Sequence, residues 1–158
     1  MRICFVCQGN IIRSPLAENI FLQLAEKKGV EDKYEVDSAG TIAYHAGERP
    51  DHRMREVAAE RGLVYSGRAR QFTRDDFDQF DLIIAMDKEN KHSLLSWAVS
   101  SEQEDKIRLM REFDPEAGAN LDVPDPYYGG PGGFISTFDI VKRACEGLVK
   151  DLESELLP

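Results

Sequence analysis

The chain has 158 residues, enough for one domain spanning 1–158 and for a core that buries roughly 68–70% of the unfolded surface without disulfide staples. Hydrophobic residues make up 42% and charged residues 31%, a composition that excludes a disordered chain. The 20 basic and 29 acidic residues leave a net charge of −9; this excludes a broad nucleic-acid surface but allows a local anion site built from backbone N–H groups.

The apolar start, Met1 to Cys7, lacks a signal-peptide cleavage region and reads as a first strand, Ile3–Val6. No run approaches the ~20 apolar residues of a membrane-spanning helix, so no membrane partner is expected. The three cysteines, Cys4, Cys7 and Cys145, are odd in number. Without an export signal they point to free thiols in a reducing cytoplasm. A first helix is predicted over Pro15–Lys28, with Ser14 as N-cap, Pro15 at the first helical position and Gly29 at the stop. Leu16, Ile20, Phe21 and Leu24 form its apolar stripe. A second strand, Lys33–Ser38, leads into Asp37-Ser38-Ala39-Gly40-Thr41. A polar loop then runs to Pro50 and a short helix covers Asp51–Arg61. Leu82–Met86 is an apolar run suited to a central parallel strand, and Asp87 caps a helix reaching Trp97. The acidic stretch Ser101–Asp105 reads as solvated surface. A fourth strand, Ile107–Met110, precedes a long loop rich in proline and glycine, Phe113–Gly133; loops of that length are often functional. A final helix, Phe134–Leu152, places Phe134, Phe138, Val141, Cys145, Leu148 and Leu152 on one face. The alternation predicts an α/β fold with four parallel strands, helices on both faces and right-handed crossovers.

The segment that carries chemistry is Cys7-Gln8-Gly9-Asn10-Ile11-Ile12-Arg13-Ser14-Pro15, between a strand and a helix N-terminus. The helix start offers unpaired N–H groups and the positive end of a dipole, and successive N–H groups can nest around an oxyanion. Gly9 is expected to free the backbone for a turn, and Asn10 to tolerate left-handed geometry. Arg13 can grip two phosphate oxygens with its planar fork. A thiol in this positive surrounding ionises readily, and Ser14 can donate a hydrogen bond to it. Five residues between Cys7 and Arg13 let the loop close around a tetrahedral anion, sulfur below and guanidinium beside it. A bare Cys-x5-Arg spacing is weak evidence; the strand before it, Gly9, Asn10 and the Ser-Pro helix start make it specific.

This loop, together with Asp125-Pro126-Tyr127-Tyr128 near the C-terminus, resembles the low-molecular-weight protein tyrosine phosphatases. Asp37-Ser38-Ala39-Gly40-Thr41 and Ala69-Arg70-Gln71 also look like blocks of that family, so the resemblance spans essentially the whole chain. It implies a metal-independent, cofactor-free phosphatase acting on phosphotyrosine-containing proteins. Cys7 is then the nucleophile that forms a phosphocysteine, Arg13 binds phosphate and stabilises the transition state, and Asp125 is the general acid and then base. The backbone and side chains of Gln8, Gly9, Asn10, Ile11, Ile12 and Ser14 are expected to bind the substrate. Tyr44, Tyr127 and Tyr128 are expected to wall the cleft, while Ser38, with Asn10 and Ser14, supports the loop. Asp114 and Asp122 are the rivals of Asp125 in the same loop. His45, His52 and His92 show no metal-ligand spacing. A monomer or weak homo-oligomer is expected.

The chain departs from the family pattern at Ile12, where a second loop cysteine is usual. A Cys7 sulfenic acid is therefore expected to lack a resolving thiol, and Cys4, three residues away on a strand, should face the opposite side. Gly67 replaces a histidine of the support network, and Gln8 an apolar residue at the cleft mouth. Thioredoxin-coupled arsenate reductases share the loop but need further cysteines, and Cys145 is the one candidate. Protein-arginine phosphatases are the closer rival; they typically carry Thr at the position of Ile11 and lack the tyrosine pair. A phosphate-binding interaction module would dispense with the nucleophile or acid, and a Cys-His hydrolase would need a third partner for its histidine.

Overall fold

The structure, a computed structural model, describes residues 1–156, with side chains through 154. Four strands, β1 (Arg2–Cys7), β2 (Glu35–Gly40), β3 (Leu82–Ala85) and β4 (Ile107–Leu109), pair in parallel in the order β2-β1-β3-β4. Strict alternation along β1 explains the layering. Ile3, Phe5 and Cys7 enter one core, while Cys4 and Val6 enter the core on the opposite face. The first core is covered by α1 (Arg13–Lys27), α2 (His52–Glu60) and α6 (Pro131–Leu156), with α1 and α2 each packed on α6. The second is closed by α3 (Asp76–Gln79) and α4 (Lys88–Trp97), through Phe77, Leu94 and the ring stack of Phe72 on Trp97. A five-residue helix, α5 (Ser101–Asp105), is solvated as its acidic sequence predicts, with the Ser100 side chain accepting from the Gln103 N–H. Short 3-10 turns cover Glu31–Lys33 and Met110–Phe113. Among the described residues no helix is long and apolar enough to cross a membrane.

The predicted α/β sheet is present, with shifted edges. Lys33 lies in a 3-10 turn and β2 extends to Gly40. The final helix starts at Pro131, three residues before Phe134, because proline fits the first helical position despite Gly132 and Gly133 behind it. Helix α1 starts at Arg13, and Ile12 occupies its N-cap with no side-chain hydrogen bond. Ser14 is therefore not the cap; its hydroxyl has other partners. Asp87 caps α4 as expected, accepting from the Asn90 N–H at 2.8 Å.

The strand order decides where a ligand sits. The chain leaves β1 toward β2 on one side and returns to β3 on the other, so the connections after β1 and β3 diverge between the two strands. In open parallel sheets that divergence opens a crevice at the carboxyl ends. The loop after Cys7 and the start of α4 at Asp87 border it.

Candidate active site

The loop from Cys7 to Arg13 is held by side chains whose hydrogen bonds have a determined polarity. The Arg70 N–H can only donate, so its 2.9 Å contact fixes Oδ1 as the facing end of the Asn10 amide. Asn10 Nδ2 then donates to Ser14 Oγ at 2.8 Å and to Ser38 Oγ at 3.0 Å. Ser14 Oγ also lies 3.0 Å from Cys7 Sγ, where its hydroxyl can donate to the sulfur once that is a thiolate. Ser38 passes its own proton to Glu18 Oε1 at 2.7 Å. Asn10 adopts φ 56°, the one non-glycine positive φ among the described residues, and its N–H points at Cys7 Sγ from 3.3 Å. The N–H groups of Gln8, Gly9, Ile11 and Ile12 donate to no acceptor among the described residues. Free N–H groups in a loop that starts at a sulfur and ends at a helix N-terminus have the makings of an anion cup.

Two glycines make the cup possible through space rather than torsion. A Cβ on Gly40 would stand 2.7 Å from the Gln8 carbonyl oxygen, so β2 can approach the loop only with glycine there. A Cβ on Gly9 would stand 2.9 Å from His45 Cδ2. Gly9 does not adopt a positive φ, so the expected torsional role falls to Asn10 and Gly9 instead makes room for a ring.

Arg13 is only 3% exposed. Its Nη1 donates to Asp87 Oδ2 at 2.7 Å and to the Val123 carbonyl at 2.8 Å, and Nη2 lies 3.7 Å from Asp125 Oδ2. Burial works against its charge, but Cys7, Asp87 and Asp125 outweigh burial and raise the guanidinium above its ordinary value. Asp87 thus joins the site as well as capping α4. Asp125 is 41% exposed at the cleft mouth, with Oδ1 accepting from the Tyr127 N–H. Its loop is anchored through the Val123 N–H to the Met86 carbonyl, Thr137 to the Pro124 carbonyl, and Arg53 to the Tyr127 carbonyl. Its rivals are engaged elsewhere. Asp122 accepts from the Lys88 N–H. Asp114 is buried, yet Arg143, the Glu116 N–H and Arg111 overcome the burial and hold its carboxyl below the usual range.

Cys7, Arg13 and Asp125 meet in one cleft of about 400 Å³. Ile11 and Ile12 are buried in its wall, and Tyr44, Tyr127 and Tyr128 surround its mouth, where Tyr44 is 81% and Tyr128 96% exposed. Gln8 and Gly9 line it too, while Asn10, Ser14 and Ser38 lie beneath. Sequence reasoning missed Ile42 and His45 in the wall. His45 packs edge-on to Tyr44, leans on Tyr127 and bonds Glu48 through Nδ1 at 2.7 Å. It also missed Glu18. Burial pushes that carboxyl up to about 7, against the Ser38 hydrogen bond. Gly67 borders a cavity of about 90 Å³ that Glu18, Ser38 and Asn10 also line, so the missing side chain adjoins the support network. Cys4 and Cys145 are fully buried, and burial raises both thiols.

Known proteins match this chain along its length. A family model described as low molecular weight phosphotyrosine protein phosphatase matches residues 2–157. The low molecular weight protein-tyrosine-phosphatase of Streptomyces coelicolor is 42% identical, over 98% of this chain and 95% of that one. A protein tyrosine phosphatase from Entamoeba histolytica, solved with Hepes in its active site, superposes with a TM-score of 0.93 at 41% identity, covering 99% of each chain. The YwlE arginine phosphatase, solved as a cysteine-to-serine mutant with a phosphorylated active-site serine, superposes at 0.86 and 28% identity, covering 97% and 96%.

Proposed function

The chain belongs to the low molecular weight phosphotyrosine protein phosphatase family, and from that premise we propose that residues 1–158 form one domain hydrolysing phosphotyrosine in proteins, and aryl phosphates, through a phosphocysteine. The reading rests on one observation: Cys7, Arg13 and Asp125 line a single cleft, together with loop residues whose N–H groups have no acceptor among the described residues.

Cys7 Sγ attacks phosphorus in line, an S–P bond forms and the P–O bond to the tyrosyl oxygen breaks. The charge on the transferring oxygens falls among the loop N–H groups and Arg13. Ser14 donates to the sulfur and stabilises it whenever it is anionic, before attack and again on departure. Asp125 gives its proton to the departing phenolate, then takes one from the water that attacks the phosphocysteine, releasing inorganic phosphate. Tyr44, Tyr127, Tyr128 and His45 offer aromatic walls to the phenyl ring. The three free thiols suit a reducing cytoplasm.

The experiment is hydrolysis of an aryl phosphate and a phosphotyrosine peptide by wild type and Cys7→Ser, without added metal. Turnover by wild type and none by the variant is expected; equal turnover overturns the assignment. A parallel phosphoarginine peptide separates the arginine phosphatase reading, which the Drosophila arginine phosphatase, alike in fold at a TM-score of 0.86, keeps in view. The apolar Ile11 and the tyrosine pair favour an aromatic ester.

A further inference from the structure

Eight of the twelve arginines stand within ion-pair distance of a carboxylate. Arg49, Arg55, Arg68 and Arg74 do not among the described residues, although the chain carries a net charge of −9. Three of those four line one pocket of about 380 Å³, nearly the size of the catalytic cleft, and no carboxylate lines it with them. The guanidiniums are only lightly committed. Arg55 donates Nε to the Pro50 carbonyl at 2.9 Å, Arg68 has a single 3.4 Å contact to the Gly47 carbonyl, and Arg49 makes no hydrogen bond among the described residues. Three like charges around one cavity repel one another, and an entering anion relieves that repulsion. Planar guanidiniums match phosphate oxygens two at a time.

A second observation points the same way. Tyr65 lines the pocket at 8% exposure, and its buried hydroxyl has no hydrogen-bond partner among the described residues. A buried hydroxyl left unpaired is costly, so the residue that walls this pocket holds a donor without a partner among the described residues. Burial, which outweighs the nearby Arg55 charge, raises the phenol above its ordinary value, so it stays a neutral donor.

The pocket is also joined to the catalytic cleft. A trough of about 330 Å³ shares Arg49, Pro50 and Arg55 with the pocket, and Ile11, His45 and Tyr127 with the cleft; Glu48 and Asp51 line it as well, with Asp51 held by Arg53 and Glu48 by His45. A peptide whose phosphotyrosine occupies the cleft therefore has a continuous path to the three arginines.

We propose that Arg49, Arg55 and Arg68 form a second phosphoryl subsite, which takes a second phosphate monoester on the same peptide whose phosphotyrosine enters the catalytic cleft. The proposal deepens the phosphatase reading and rests on it for the identity of the first group. It makes multiply phosphorylated tyrosine segments the preferred substrate class.

The test compares kcat/KM on peptides carrying one phosphotyrosine with otherwise identical peptides carrying a second one at a series of spacings. Wild type is expected to favour the best doubly phosphorylated peptide about tenfold at low salt, with the advantage shrinking as salt is added. Arg49→Gln/Arg68→Gln is expected to lose the preference while hydrolysing an aryl phosphate as wild type does. Arg55 is left in place because it holds the Pro50 carbonyl. A charge-matched control, Lys27→Gln/Lys28→Gln at the far end of α1, is expected to keep the preference. Absence of preference in wild type at every spacing, preference retained by the arginine variant, or equal loss in the lysine control each overturns the subsite. Binding of the same peptides to Cys7→Ser, followed by fluorescence anisotropy, judges the subsite without turnover. Failure of wild type to hydrolyse even the singly phosphorylated peptide would instead strike the phosphatase reading.

Discussion

Replacing Glu18 with glutamine is expected to flatten the pH dependence of folding stability between about pH 4.5 and 7. The carboxyl sits under the catalytic loop, accepting from Ser38 at 2.7 Å, and burial lifts it from 4.5 to about 7. Asp37 adds to the rise, while the Ser38 bond and Arg70 oppose it. Because the folded state holds this proton more tightly than the unfolded chain, the associated stability is fully present below pH 4.5. It drains as pH rises toward about 7 and is gone above that. A displacement from 4.5 to about 7 corresponds to about 3 kcal/mol, and relaxation toward solvent brings the expected change to about 2–3 kcal/mol. Glutamine still accepts from Ser38 but cannot ionise. Urea unfolding of both proteins at pH 4.5, 6 and 8 measures the difference. The variant should equal wild type at pH 4.5 and exceed it at pH 8. Parallel stability curves would refute the reasoning.

Asp125→Asn is expected to lower kcat on aryl phosphates with poor leaving groups by roughly 10²–10³-fold while inhibition by inorganic phosphate persists; near-wild-type turnover would remove Asp125 from the mechanism. Gly147→Ala would thrust a methyl group inside van der Waals contact with the Phe113 carbonyl oxygen. It should destabilise the fold by at least about 2 kcal/mol, seen as a lower urea midpoint at unchanged m. Peroxide should carry Cys7 past the sulfenic acid, because Cys4 lies across the sheet and Cys145 faces the Ala17 carbonyl at 3.6 Å. Intact-mass spectrometry should find sulfinic acid and no internal disulfide, and thiol rescue should decay with exposure; full rescue dependent on Cys4 would contradict this.

The sheet was legible because β1 and the run Leu82–Met86 carry their burial in their own residues. The loop was legible because Cys7, Asn10, Arg13 and Ser14 are contiguous. What escaped depends on residues distant in sequence. Ser14 has the chemistry of an N-cap, and nothing local reveals that Asn10 and Cys7 claim its hydroxyl instead. His45 and Ile42 lie in a loop without periodicity, and only the approach of that loop to Gly9 brings them into the cleft. Glu18 reads as an exposed position on α1 until Ser38, twenty residues later, returns beneath it. Gly132 and Gly133 disguise the start of the last helix, which opens at Pro131 because proline suits the first helical position.

Strand β1 gives alternate side chains to two separate cores and ends at Cys7. Neither layer can therefore detach without stripping the strand they share, and unfolding should proceed as one cooperative event. The amides of Phe5 and Val6 should exchange with solvent only at the rate of global opening, so the support beneath Cys7 lasts as long as the molecule itself stays folded.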